Sequence, residues 1–99
     1  MARFDIYRLK DGETLVVDLQ ATVLDNLQHR VVSPLILQET AFRPLSRLNP
    51  KIVFENKAYI LAIHLMAAIP LQEMAESIGN ISQFHDEIVK ATDFLFQGF

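Results

Sequence analysis

Residues 3–19 read Arg3-Phe4-Asp5-Ile6-Tyr7-Arg8-Leu9-Lys10-Asp11-Gly12-Glu13-Thr14-Leu15-Val16-Val17-Asp18-Leu19. In the first part Phe4 and Ile6 alternate with Arg3, Asp5 and Tyr7, the period of two expected of a strand with one face in a core. Lys10 to Glu13 is polar and contains Asp-Gly, the strongest short-range hairpin signal. The run Thr14 to Leu19, rich in β-branched side chains, completes the unit. Residues 3–19 therefore predict a hairpin.

The same reading extends along the chain. Arg30-Val31-Val32-Ser33-Pro34-Leu35-Ile36-Leu37 is the next strand candidate. Pro34 has no amide proton to give a ladder, so this strand is expected at an edge, bulged or bent. Gln38 to Pro50 is a long polar connection with Pro44 and Pro50, and loops of that length are often functional. Ile52 to Phe54, the turn Glu55-Asn56-Lys57 and Tyr59 to Ile63 predict a second hairpin. Ala62 to Ala68 is too uniformly apolar for periodicity to choose between helix and strand. Residues 73–78 read as helix by propensity. Toward the end, Ser82 is placed to cap a helix and Asp86 and Glu87 suit its first turn. Phe84, Ile88, Ala91 and Leu95 form one apolar stripe, and Gly98 sits where a helix stops.

Ninety-nine residues, 51% hydrophobic and 21% charged, fit one globular domain over 1–99. Nine Lys and Arg against twelve Asp and Glu leave a net charge of −3. That balance, with a pI near 5.5, speaks against a mainly electrostatic nucleic-acid binder. The absence of cysteine rules out disulfides, cysteine metal sites and thiol catalysis. Met1-Ala2-Arg3-Phe4-Asp5 puts an acid where the apolar stretch of a secretory leader would begin. The apolar run 58–71 falls short of the ~20 residues of a membrane helix. A cytoplasmic protein without membrane attachment is the expectation. Small size and high hydrophobicity predict a homodimer that hides part of the apolar surface.

The search for chemistry returns little. His29, His64 and His85 have no metal-ligand spacing, and three glycines make no phosphate loop. His64 in an apolar segment reads as a core or interface residue, and His29 with Arg30 as a solvated turn. Ser33 lacks the context of a nucleophile. Asp18 and Asp25 read as acids making local turn hydrogen bonds. Arg43 and Arg47, four residues apart in the long loop, could together meet an anion. No cofactor, metal or catalytic set is expected.

Six blocks in order resemble the CcdB family of toxins. They are Arg3 to Tyr7; Val16-Val17-Asp18-Leu19-Gln20 with Val23-Leu24-Asp25; Arg30 to Leu35; Pro50 to Phe54; Ala68-Ile69-Pro70-Leu71; and the tail from Ile88 to Phe99. The resemblance implies a mainly β fold: an SH3-like antiparallel barrel, a small extra sheet and a C-terminal helix that dimerises. It also implies a strand over the first part of 73–78, against the local propensity. Proteins of this kind are not enzymes. They bind the A subunit of DNA gyrase, trap its cleaved-DNA complex, and are neutralised by a CcdA-like antitoxin with which they repress their operon; operator DNA is met only through that complex.

Carried onto this sequence, the gyrase contacts are Val23, Leu24, Asp93, Gln97, Gly98 and Phe99. The chain departs from the family pattern at three of them: Gln97 replaces a usual Trp, Phe99 an Ile and Asp93 an Asn. Arg43 and Arg47 are the candidates for meeting the acidic antitoxin. Two alternatives stand beside this reading. One is a MazF-like endoribonuclease, for which His29 and Arg30 are the evident candidates; the other is a relative that binds an antitoxin but no longer poisons gyrase.

Overall fold

The computed structural model describes residues 2–24, 26–40 and 43–98. Seven strands form one antiparallel sheet: β1 (Asp5–Leu9), β2 (Leu15–Asp18), β3 (His29–Leu37), β4 (Lys51–Phe54), β5 (Lys57–Leu61), β6 (Ala67–Pro70) and β7 (Met74–Asn80). One helix, α1 (His85–Gln97), follows. The strand order is β4-β5-β3-β2-β1-β7, with β6 alongside the first half of β3. The curled sheet is a half-barrel, and β6 is its small additional wing.

The first hairpin forms where its Asp-Gly signal lies. Gly12 takes φ +82°, a region closed to most side chains. Asp11 holds the turn, its carboxylate accepting the amides of Glu13 and Thr14 at 2.9 Å each. The hydroxyl and amide of Thr14, then the amide of Glu13, lower the pKa of Asp11. Ile6 pairs with Val17 and Tyr7 with Val16. Both faces of the hairpin are covered, not one. Ile6 and Val17 enter the main core, while Tyr7 and Val16 enter a smaller cluster with Val32 and Met74. The strand starts at Asp5 because Phe4, buried, adopts φ +72°. Its amide bonds to the Asp18 carbonyl at 2.6 Å and its carbonyl accepts from Ile81 at 3.0 Å.

Pro34 does not put β3 at an edge. Nine residues long, β3 lies between β2 on one side and β6 and β5 on the other. It pairs with β6 through Val32 and with β5 from Leu35, so Pro34 falls in the gap between the two partners. Its carbonyl still accepts the Ala62 amide at 2.9 Å. No ladder bond is lost, because none is needed at that point. The chain between β5 and β6 settles the apolar run left open by the sequence: one 3-10 turn, Ile63–Leu65, and then strand.

The second hairpin closes with two residues, Glu55 and Asn56, at φ +51° and +64°. Two consecutive left-handed residues match the twist of a tight hairpin. Residues 74–80 are strand despite helical propensity, since β1 offers a partner edge from Asp5 to Leu9. Curling brings the two ends of the strand order together. A Cβ built on Gly79 in β7 would lie 2.5 Å from the Phe54 ring of β4, and glycine permits that approach.

α1 starts differently from the expectation. Ser82 does not cap it. A 3-10 turn, Ser82–Phe84, comes first, and the side chain of Asn80 accepts the Ser82 amide at 2.8 Å. Asp86 and Glu87 do lie in the first helical turn, favourable to the dipole. Ile88 and Ala91 are buried in the main core, with Phe84 and Leu95 packed against it, as the stripe predicts. Gly98 ends the helix at φ +79°, its amide bonding to the Phe94 carbonyl at 2.9 Å.

Candidate partner-binding surfaces

The strand β2 ends on Asp18, and the chain then makes a 3-10 turn, Thr22–Leu24, before returning as β3. Under that turn lies a feature that local reading missed. Asp18 and Arg30 are both fully buried and paired: the Asp18 carboxylate accepts from Arg30 Nη2 at 2.6 Å and from Nε at 3.0 Å. Asp18 does make the expected local bond, to the Gln20 amide at 3.0 Å, but this is its smaller task. Arg30 is not part of a solvated turn. It has no exposed surface, whereas the neighbouring His29 is exposed. Its remaining donors reach the turn, with Nη1 bonding to the Leu24 carbonyl at 3.1 Å. A signal existed in the sequence, an acid and a guanidinium on neighbouring strands, yet only the register of β2 and β3 brings them together.

Tyr7 lies on this same face. Burial first, then the charges of Asp5 and Asp18, raise the pKa of its phenol, with Arg30 opposing.

On the outside of the turn, Val23 is 83% exposed and Leu24 is also exposed. Leu27 and Val31, not singled out from sequence, join them as large apolar side chains in water. Asp25 lies outside the described residues.

The second surface is the tail of α1. Asp93, Gln97 and Gly98 are exposed as expected, and Phe99 lies outside the described residues. Phe96, at 73% exposure, is the large apolar side chain here that the resemblance did not supply. Arg47 sits with its guanidinium 4.0 Å over the centre of the Phe94 ring, a cation–π contact. Ser46, Arg47, Pro50, Lys51, Glu87, Lys90 and Asp93 line a groove of about 460 Å³ between the long loop and the helix. The loop residue expected to meet an antitoxin thus shares a groove with a helix residue expected to meet the target. Arg43 is exposed and not among the groove residues. The end of the loop, from Leu45 to Asn49, is organised: the Asn49 side chain accepts the Leu45 amide at 2.8 Å and donates to Nδ1 of His64 at 3.0 Å.

Among the described residues, no hydrogen bond joins the turn directly to the tail of α1. The Thr22 hydroxyl accepts the Arg3 amide at 3.1 Å, and the Arg3 carbonyl accepts from Asn80, just before α1. Phe4 meets His85, the first residue of α1, edge to ring at 5.6 Å. The turn is therefore tied to the start of the helix. Gln97 lies at its other end, about 18 Å along the axis at ~1.5 Å per residue.

Among the described residues, no group of three or more His, Asp or Glu side chains is arranged to hold a metal. Among them, too, no helix is long and apolar enough to cross a membrane.

Comparison with known proteins fits this architecture. The solved structure of Mycobacterium tuberculosis toxin MazF-mt6 is similar at a TM-score of 0.78 and 17% identity, covering 93% of this chain and 95% of that one. At that identity the likeness concerns the fold. The family model described as CcdB protein matches residues 3–98, nearly the whole length. The chain belongs to the CcdB family, the toxins of toxin–antitoxin systems.

Proposed function

We propose that this protein binds the A subunit of DNA gyrase and stabilises its cleaved-DNA complex, and that a CcdA-like antitoxin neutralises it. The observation that carries this reading is Val23. A large apolar side chain 83% exposed on a turn fixed by hydrogen bonds, with Leu24, Leu27 and Val31 also exposed, has the character of a partner surface. Asp93, Gln97, Gly98 and Phe99 supply the second half of the contact, and a homodimer presents two copies of each half. Arg43 and Arg47 receive acidic side chains of the antitoxin. The protein acts by binding, without hydrolysis. Burial of Arg30 against Asp18 supports that view, since it removes one of the two side chains a ribonuclease reading would use.

Purified A and B subunits with plasmid DNA provide the test. The protein should raise the yield of cleaved DNA, and Gly98→Glu should abolish that effect and growth arrest while the fold persists. Gln97→Trp should strengthen poisoning by restoring an aromatic anchor. If no cleaved complex accumulates and the protein alone cuts RNA, the ribonuclease reading replaces this one.

A further inference from the structure

We propose that Asp18, Gln20 and Arg30 are positioning residues that hold the Val23–Leu24 turn in its partner-binding shape. The inference rests on the target-binding role of that turn and goes beyond it by naming what sets its geometry. The Leu24 carbonyl receives two side-chain donors, Gln20 Nε2 at 2.8 Å and Arg30 Nη1 at 3.1 Å, beside the Leu27 amide at 3.4 Å. The other end of the Gln20 amide, Oε1, accepts the Val31 amide at 3.2 Å. One side chain therefore ties the turn to the strand that follows it.

Arg30 makes the tie cooperative. A guanidinium taken wholly out of water needs acceptors for its N–H groups. Asp18 accepts from Nε and Nη2, and the turn supplies two further acceptors, the Leu24 carbonyl and, at 3.5 Å, the Gln20 carbonyl. Opening the turn would leave Nη1 without this acceptor. The closed turn and the buried ion pair therefore stabilise one another. Val23 and Leu24 can stay in water without collapsing onto the sheet because their backbone is anchored from beneath. A partner then meets a preorganised apolar tip and does not have to order it.

Gln20→Ala is the informative variant, because Gln20 lies outside the two apolar clusters and its loss leaves the ion pair in place. Expected are about tenfold weaker binding to the purified gyrase A subunit and faster amide exchange at Leu24 and Val31. The thermal midpoint should stay within about 2 °C of wild type. Gln20→Glu keeps the acceptor for Val31 and loses the donor to Leu24, so Val31 stays protected while binding still falls. Ile52→Val, a core change, should lower stability without altering affinity of the folded protein. Wild-type affinity in Gln20→Ala overturns the proposal. If the wild-type chain does not bind gyrase A, the functional reading fails, and the brace is judged on growth arrest at equal soluble expression. Loss of arrest in Gln20→Ala then supports it, and retained arrest overturns it. A wild-type chain that neither binds nor arrests growth overturns both.

Discussion

The turn at residues 20–24 and the tail of α1 both offer large apolar side chains to solvent, but they are held by opposite means. Beneath the turn lies a fully buried ion pair whose spare donors reach the turn backbone. The tail rests on a glycine cap and on an arginine stacked over an aromatic ring at the surface. Buried charges are costly to strip of a partner, whereas exposed contacts are weak and screened. The first region should therefore be brittle and the second tolerant.

The largest effect is expected beneath the turn. Arg30→Ala leaves the Asp18 carboxylate buried without its cation and should cost about 3–5 kcal/mol in urea unfolding. Removing both charges, as Asp18→Leu with Arg30→Met, should recover most of that stability while the turn loses its anchor. A loss below about 1 kcal/mol in Arg30→Ala would show that the region is not brittle, and the comparison would collapse.

At the helix end, Gly98→Ala meets no atom within 4 Å of the new Cβ, so its cost is the left-handed backbone alone. About 1 kcal/mol or less is expected, read as fraying of the last turn by amide exchange. Weaker still is the loop contact. A double-mutant cycle of Arg47→Ala with Phe94→Leu should give a coupling of about 0.5–1 kcal/mol. A coupling as large as that expected for the buried pair would erase the contrast between the two regions.

The smallest effect is invisible at neutral pH. The Tyr7 phenol has its pKa raised above 10.0 by burial and by neighbouring carboxylates, so the folded state favours the protonated form. Its contribution is fully present below pH 10 and is lost as pH rises through the folded-state value. Thermal midpoints across that range should fall less steeply in Tyr7→Phe than in wild type. Equal slopes would mean that Tyr7 is not coupled to folding.

Much of this architecture was legible because its signals are local. Asp11-Gly12 marks a turn through the backbone freedom of one residue, and the stripe from Phe84 to Leu95 marks a helix through a period of 3.6. Ser82 misled because the chain first makes a 3-10 turn there, which delays the helix to His85; Asn80 only accepts the Ser82 amide, and no side chain caps α1. Of the three placements expected for Pro34 the edge fails, because that rule assumes one continuous partner and β3 changes partners at that residue. Residues 74–80 were strand against their propensity because β1 had an open edge to fill.

The candidate surfaces divide in the same way. Val23, Leu24, Asp93, Gln97 and Gly98 were named as candidates through six ordered blocks of sequence, and all five are exposed. Leu27, Val31 and Phe96 were not, since exposure depends on what the rest of the chain fails to cover.

Sequence alone determined the hairpins, the last helix with its buried stripe, the absence of thiol chemistry and the family. Each of these follows from composition, from residues close in the chain or from an ordered set of blocks. Tertiary structure decided that Asp18 and Arg30, twelve positions apart, form a dry pair, that Gly79 must make room for Phe54, and that Arg47 stacks on Phe94. The reason is physical: burial and ion pairing depend on neighbours supplied by other strands, and register and sheet curvature choose those neighbours only after the whole chain has folded.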